Sequence, residues 1–207
     1  MKFDEFLTLE DHVNSVLQCC YSNLRNLGVI GGKLSFDLKK QLIHCLIFSK
    51  LDYCNGLFYD LPDYLIKRLQ KVQHSCTRFL FSGAKLHRGD SVTPFLKEAH
   101  FLPVKQRIVF KIALTVFKCI NNIAPTYLQK MIKVKDQPTK NLRTESDYFL
   151  LQHPPPSNLR RTERSFTHCA PVVWNSLPYS LRTMNDVTLF KKRLKTHLFC
   201  ETFDSLC

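Results

Sequence analysis

Apolar residues in the first third of the chain recur with helical spacing. From Asp11 to about Leu27, the positions Val13, Val16, Leu17, Cys20, Leu24 and Leu27 form one stripe, and Gly28, Gly31 and Gly32 are expected to stop the helix. Ser35 has the chemistry of an N-cap for the next helix, with Asp37 in its first turn where the helix dipole favours a carboxylate. That helix is apolar around most of its circumference from Leu42 to Phe48, which predicts burial on several sides. Pro62 lacks a backbone donor and biases Leu61 away from the helical region, so the chain turns there. A third helix is predicted from Asp63 to about Phe81, with Leu65, Leu69, Val72, Cys76, Phe79 and Leu80 at core spacing.

Beyond this the pattern is less uniform. SGAKLHRGDS, residues 82 to 91, is polar, basic and glycine-bearing, and marks a boundary. A short helix is expected from Thr93 to His100, and a long one with Pro103 in its first turn. Its polar positions, Arg107, Lys111, Thr115, Lys118 and Asn122, make only a narrow stripe, so the rest should be core. Another short helix is read from Pro125 to Ile132, and an exposed linker over residues 133 to 147. Tyr148 to Leu151 has strand character, and the triple proline after it must be extended. Trp174, with Val172, Val173 and Leu177, should anchor the tail on the core. In DVTLFKKRLKTHLF, Val187, Phe190, Leu194 and Leu198 should face inward, with Lys191, Lys192, Arg193 and Lys195 outward. The fold class is therefore mainly α. A helical bundle covers residues 1–82, a basic linker 83–92 and a central helical core 93–132. A polar and Pro-rich linker with a short strand covers 133–165, and the Trp segment with its amphipathic helix 166–207.

Charge narrows the partners. Thirty Lys and Arg against 17 Asp and Glu give a formal +13 and an isoelectric point near 9.4, which favours polyanions, nucleic acid foremost. The first twelve residues carry acidic side chains and no apolar run suited to a secretory signal, and no stretch is apolar for long enough to span a bilayer. An intracellular protein, nuclear or cytoplasmic and without a membrane partner, is expected. Among the nine cysteines there is no Cys-x-x-Cys, and Cys19, Cys20, Cys45, Cys54, Cys76 and Cys119 lie in apolar helical patterns, so they read as buried reduced thiols. His168 with Cys169 and His197 with Cys200 lack the further ligands a zinc site needs, so neither a metal nor another cofactor is expected.

The one informative polar face is on the third helix. Lys67, Lys71, His74 and Arg78 at i, i+4, i+7 and i+11 form one row, with Arg68 alongside, a pattern suited to successive phosphates or to an ordinary solvated surface. Catalytic signatures are missing: no phosphate-binding glycine loop, no nucleophile elbow and no Asp-Asp pair to hold two metal ions. In LDYCNGLFYDLP, residues 51 to 62, a continued helix would put Asp52, Asn55 and Tyr59 on one face. A single carboxylate there suits a structural role, with Asp52 pairing Arg25 or Arg68. Asp60 and Asp63 read as a helix end and an N-cap.

Several longer blocks carry a resemblance. HVNSVLQCCYSNLRNL, LSFDLKKQLIHCLIFSKLDYCNGLFYDLP, IKRLQKVQHSCTRFL, HFLPVKQRIVFKIALTVFKCINNIAPTYL, RSFTHCAPVVWNSLP and LFKKRLKTHLF resemble, in order, the C-terminal part of the polyprotein of LINE-type (non-LTR) retrotransposons of the jockey-like and vertebrate LINE groups. The resemblance spans about residues 4 to 203. It implies that residues 10 to 82 are the helical thumb of a reverse transcriptase, and that the fingers and the metal-binding palm lie upstream of the sequence. The implied function is a non-catalytic fragment of an RNA-directed DNA polymerase, not itself an enzyme. Its partner would be RNA or an RNA/DNA hybrid, held with low specificity by Lys67, Arg68, Lys71, His74 and Arg78. Asp52, Asn55, Pro62 and Trp174 would be structural. The alternative is a structural or protein-interaction module that docks on the absent palm or on other retrotransposon proteins.

Overall fold

The computed structural model describes residues 1–2, 4–5, 7–83, 89–135, 149–155 and 164–203. The fold is mainly helical, and the chain divides into two compact units, one of residues 1–55 and 61–107 and the other of 56–60 and 108–207. The division falls between Arg107 and Ile108, inside a helix. Residues 93–107 thus pack within the first unit, where the sequence placed a boundary at 83–92; of that segment, 84–88 lie outside the described residues.

The first unit is built on α1, Glu10–Ile30, whose buried stripe is Val13, Val16, Leu17, Cys20 and Leu27. Gly28 does not end the helix as expected. The helix runs on to Ile30 and tightens into one 3-10 turn, Gly31–Lys33. Gly31 is a packing glycine: a Cβ there would sit 2.6 Å from Cε2 of Phe79, too close for any side chain without moving the ring. Ser35 caps α2, Phe36–Ile43, its Oγ accepting from the Leu38 N–H at 3.4 Å.

α2 leads through a π-helical turn, His44–Phe48, into the short α3, Ser49–Leu51. Burial on several sides does not occur. Ile43, Ile47, Phe48 and Leu51 are buried, whereas Cys45 and Leu46 face solvent, because only one face meets α1 and the next long helix. The carbonyls of Leu46 and Ile47 meet Nδ2 of Asn23 at 3.0 Å and Sγ of Cys20 at 3.9 Å, so the wide turn is stitched to α1.

Pro62 turns the chain into α4, Asp63–Leu80, and its carbonyl accepts from Leu65 and Ile66. Asp63 is therefore the first helical residue and not the N-cap. Of the predicted core positions, α4 buries Leu65, Leu69, Val72, Cys76 and Leu80 but leaves Phe79 half-buried, and it also buries Gln73 and Thr77. Gln73 donates to the Leu102 carbonyl at 2.7 Å and accepts from Gln70, whose own oxygen takes the Val104 N–H at 2.9 Å. The two glutamines satisfy backbone groups at the start of α6, Val104–Ile120, which follows α5, Thr93–Glu98.

Asp52 lies just past α3, not on a continuing helix. The chain leaves the helix through Cys54, at φ 54°, into a 3-10 turn over Asn55–Phe58, so the expected shared face of Asp52, Asn55 and Tyr59 is not formed. The partner of Asp52 is Arg107, not Arg25 or Arg68. Nε of Arg107 donates to Oδ1 at 2.8 Å, Nη2 donates to Oδ2, and the guanidinium carbon lies 4.5 Å from the Phe48 ring centre. Asn55, buried, donates to the same carboxylate at 3.3 Å and approaches the Arg107 carbonyl at 3.5 Å.

In the second unit α6 buries Ile108, Ile112, Ala113, Val116, Phe117 and Cys119. Further along are α7, Thr126–Gln129, α8, Phe166–Asn175, α9, Tyr179–Arg182, and α10, Val187–Phe203. Trp174 is fully buried, with Val173 and Leu177 buried too but Val172 exposed at 49%; its indole N–H donates to the Phe149 carbonyl at 2.7 Å and its ring lies 6.0 Å from Phe190, which stacks on Phe117 at 4.1 Å. Phe190, Leu194 and Leu198 point inward on α10 and the four named cations point out, as the pattern predicts; Val187 is only half-buried.

The strand expected over Tyr148 to Leu151 is reduced to an isolated antiparallel bridge, Val134 to Leu151, and Tyr148 lies outside the described residues. The backbone of Leu151 is met by a side chain: Asn175 accepts from its N–H at 2.8 Å and donates to its carbonyl at 3.0 Å. Most of the linker, residues 136–148, and Pro156 also lie outside the described residues.

The thiols differ in burial. Cys20, Cys76, Cys119 and Cys169 are buried, and burial pushes Cys20 and Cys76 up to about 12 and Cys169 to about 11. Cys19 and Cys45 are exposed and Cys54 is only half-buried, contrary to expectation; Cys19 lies one residue, about 100° of helix, from the packed Cys20.

Two outcomes follow for stability and reactivity. Asp52→Ala leaves a guanidinium that is 15% exposed without its carboxylate, and should cost roughly 1–3 kcal/mol in urea unfolding followed by circular dichroism. A double-mutant cycle with Arg107→Met showing no coupling would exclude the pair as a stabilising element. Brief iodoacetamide treatment of the native protein should label Cys19, Cys45 and Cys200 and spare Cys20, Cys76 and Cys169, as read by peptide mass spectrometry. Equal labelling rates for Cys19 and Cys20 would contradict this packing.

Candidate nucleic-acid interface

α4 is unbroken from Asp63 to Leu80, so Lys67, Lys71, His74 and Arg78 do share a face. They are not equivalent. Lys67 and Lys71 are exposed and have no side-chain partner among the described residues. Arg78 is half-buried and its Nη2 donates to the Asp90 carbonyl at 2.9 Å, which ties the guanidinium to the segment before α5. His74 is half-buried too, and burial, with the neighbouring Arg78 cation second, pushes its pKa below the ordinary 6.5. It therefore carries little charge at neutral pH, and the row has three cations, not four.

Arg68 turns away from the row toward α1. Nη2 donates to Oδ1 of Asn14 at 2.6 Å, and Nη1 stands 4.0 Å from the Glu10 carboxylate, an exposed ion pair that contributes little to stability. Between α1 and α4 this leaves a groove of about 630 Å³, lined from α1 by Asn14, Gln18, Tyr21 and Arg25 and from α4 by Arg68 and Lys71. Arg25 and Tyr21 are the residues that sequence reasoning missed as interface candidates. Asn14, Gln18, Tyr21 and Arg25 fall at i, i+4, i+7 and i+11, the same interval as the cationic row of α4, and that periodicity was the available signal. What the sequence could not show is that this α1 row lies opposite Arg68 and Lys71 of α4.

The groove is electrostatically lopsided. At its Glu10 end Arg68 is already paired, while at the other end Arg25 and Lys71 have no carboxylate partner among the described residues. An anion is therefore drawn to the Arg25 and Lys71 end. Tyr21, 40% exposed, presents an aromatic surface beside those cations.

The other predicted site residues have structural surroundings. Asp52 and Asn55 belong to the Arg107 network, Pro62 to the turn into α4, and Trp174 to the aromatic core of the second unit. Among the described residues no three His, Cys, Asp or Glu side chains gather as metal ligands, and no helix is long and apolar enough to cross a membrane. Comparison with known proteins found no matching family model, no matching curated protein and no matching solved structure.

Two histidines with lowered pKa values set a pH dependence. His12 and His74 both have folded pKa values pushed below 6.5, chiefly by burial, so the neutral form is favoured in the folded state. Their contribution to stability is complete above pH 6.5 and is lost as the pH falls through 6.5 toward the folded values. Melting temperature should fall between pH 7.5 and 5.5, and His74→Gln should shrink that fall; an unchanged pH slope in the variant would rule out His74 as a contributor.

Proposed function

We propose that this chain is a thumb-and-tail fragment of a LINE-type reverse transcriptase that carries no polymerase activity itself and binds RNA or RNA/DNA hybrids with low sequence specificity inside the cell, in the nucleus or cytoplasm. The observation that carries the reading is the placement of Arg25 and Lys71 on facing helices, without carboxylate partners among the described residues, next to exposed Lys67. The ordered sequence blocks and the mainly helical fold are consistent with a thumb, and the +13 charge supplies a long-range attraction to phosphate. Phosphate contacts of this kind hold a backbone and carry no sequence information.

Exposed apolar residues favour a second reading. Val29 and Ile30, at 85% and 45% exposure, end α1, and Phe36 and Leu38, both 42%, begin α2. These suit a module that docks on another protein, such as the palm or another retrotransposon protein, and does not bind nucleic acid.

Mobility shifts on a 20-nucleotide RNA/DNA hybrid separate the two. Under the first reading the protein binds at micromolar concentration in low salt, and log affinity falls linearly with log salt. Lys67→Gln with Lys71→Gln should weaken binding about tenfold or more and reduce the magnitude of the salt slope by about 1–2. No complex at low salt, with concentration-dependent association in gel filtration, would favour the docking module.

A further inference from the structure

The groove between α1 and α4 carries an inference that rests on the nucleic-acid reading and narrows it. We infer that this groove takes a single-stranded stretch of RNA, with one base stacked on Tyr21 and its flanking phosphates on Arg25 and Lys71.

Three features lead there. First, the groove is an open concavity of about 630 Å³ between two helices, whereas the outer cations of α4 offer a convex face suited to a duplex backbone. Second, an aromatic ring in such a groove gains nothing from a duplex, whose bases are already stacked on each other. An unpaired strand can turn a base out onto the ring. Third, the polar side chains around Tyr21 are uncommitted: Gln18, Tyr21, Arg25 and Lys71 make no side-chain hydrogen bond or ion pair among the described residues. Arg68, by contrast, is fixed by Asn14 and Glu10.

The chemistry divides accordingly. Arg25 lies one helical turn beyond Tyr21 on α1, about 6 Å along the axis, and Lys71 reaches in from α4. Arg25 and Lys71 neutralise phosphate, and Gln18 can donate to and accept from a base edge. Arg68 lines the far end already paired with Glu10, so a bound strand would gain less there.

The test compares a fluorescein-labelled 12-nucleotide oligouridylate with a blunt RNA/DNA duplex of equal length, by anisotropy at fixed low salt. Tyr21→Leu keeps an apolar side chain of similar size at a half-exposed position, and circular dichroism confirms its fold. The expected result is a loss of single-strand affinity of roughly 5- to 150-fold, the range of one stacked base, with an unchanged salt slope and duplex affinity within about twofold. Tyr21→Phe, which keeps the ring, should bind like the parent. Arg25→Gln should weaken single-strand binding and lower the slope magnitude by about 0.7. If Tyr21→Leu binds the single strand as well as the parent does, or if polyglutamate of matched charge competes as well as the oligonucleotide, the groove reads charge alone and the inference is wrong while the broader reading stands. If the parent binds neither probe, both fail together.

Discussion

The first unit is clasped by one polar interaction made across 55 residues of sequence, the forked pairing of Arg107 with Asp52 over the ring of Phe48. Asp52 ends the α2 to α3 run, where the chain abandons helix geometry, and Arg107 lies in the first turn of α6. The planar guanidinium satisfies the carboxylate with two donors and presents its face to the phenyl ring. Asn55 adds a donor to the same carboxylate, and the neighbouring Phe48 packs edge-on against Phe101 at 4.8 Å. A lysine in place of Arg107 would keep the charge but lose the fork and the stacking.

Around that clasp the helices are held by ordinary apolar packing with a few well-placed amides. Gln70 and Gln73 bring backbone groups of Leu102 and Val104 to α4, and Asn23 does the same for the π turn. Because α1 and α4 are fixed through Val13, Leu17, Cys20, Leu65, Leu69 and Cys76, their polar edges become the walls of a groove. The groove's charge distribution is a by-product of this packing: α1 brings both the acid that occupies Arg68 and the base that is left open.

The second unit uses the same economy. Trp174 fills its core and spends its one donor on the Phe149 carbonyl, while the adjacent Asn175 serves both backbone groups of Leu151. Two consecutive side chains of one helix thus tie down an extended segment that would otherwise need a partner strand. The segment stays a bridge instead of growing into a sheet.

Helix existence, the Ser35 cap, the turn at Pro62, the inward face of α10 and the anchoring role of Trp174 were legible in the sequence, because each is set by local chemistry or by a period of 3.6 residues. Local pattern misread what depends on a distant neighbour. Gly28 keeps helical backbone inside α1, and the helix tightens only at Gly31, where the Phe79 ring packs. Leu46 and Cys45 are exposed because packing partners cover only one side of an all-apolar run. The partner of Asp52 and the lowered pKa of His74 were likewise invisible, since an ion pair and a desolvated ring are properties of space and not of spacing. The sequence by itself determined a mainly helical, strongly basic chain with a cationic row on α4. Only the tertiary structure decided which of those cations remain uncommitted, because that depends on which helix lies opposite and where its carboxylates fall.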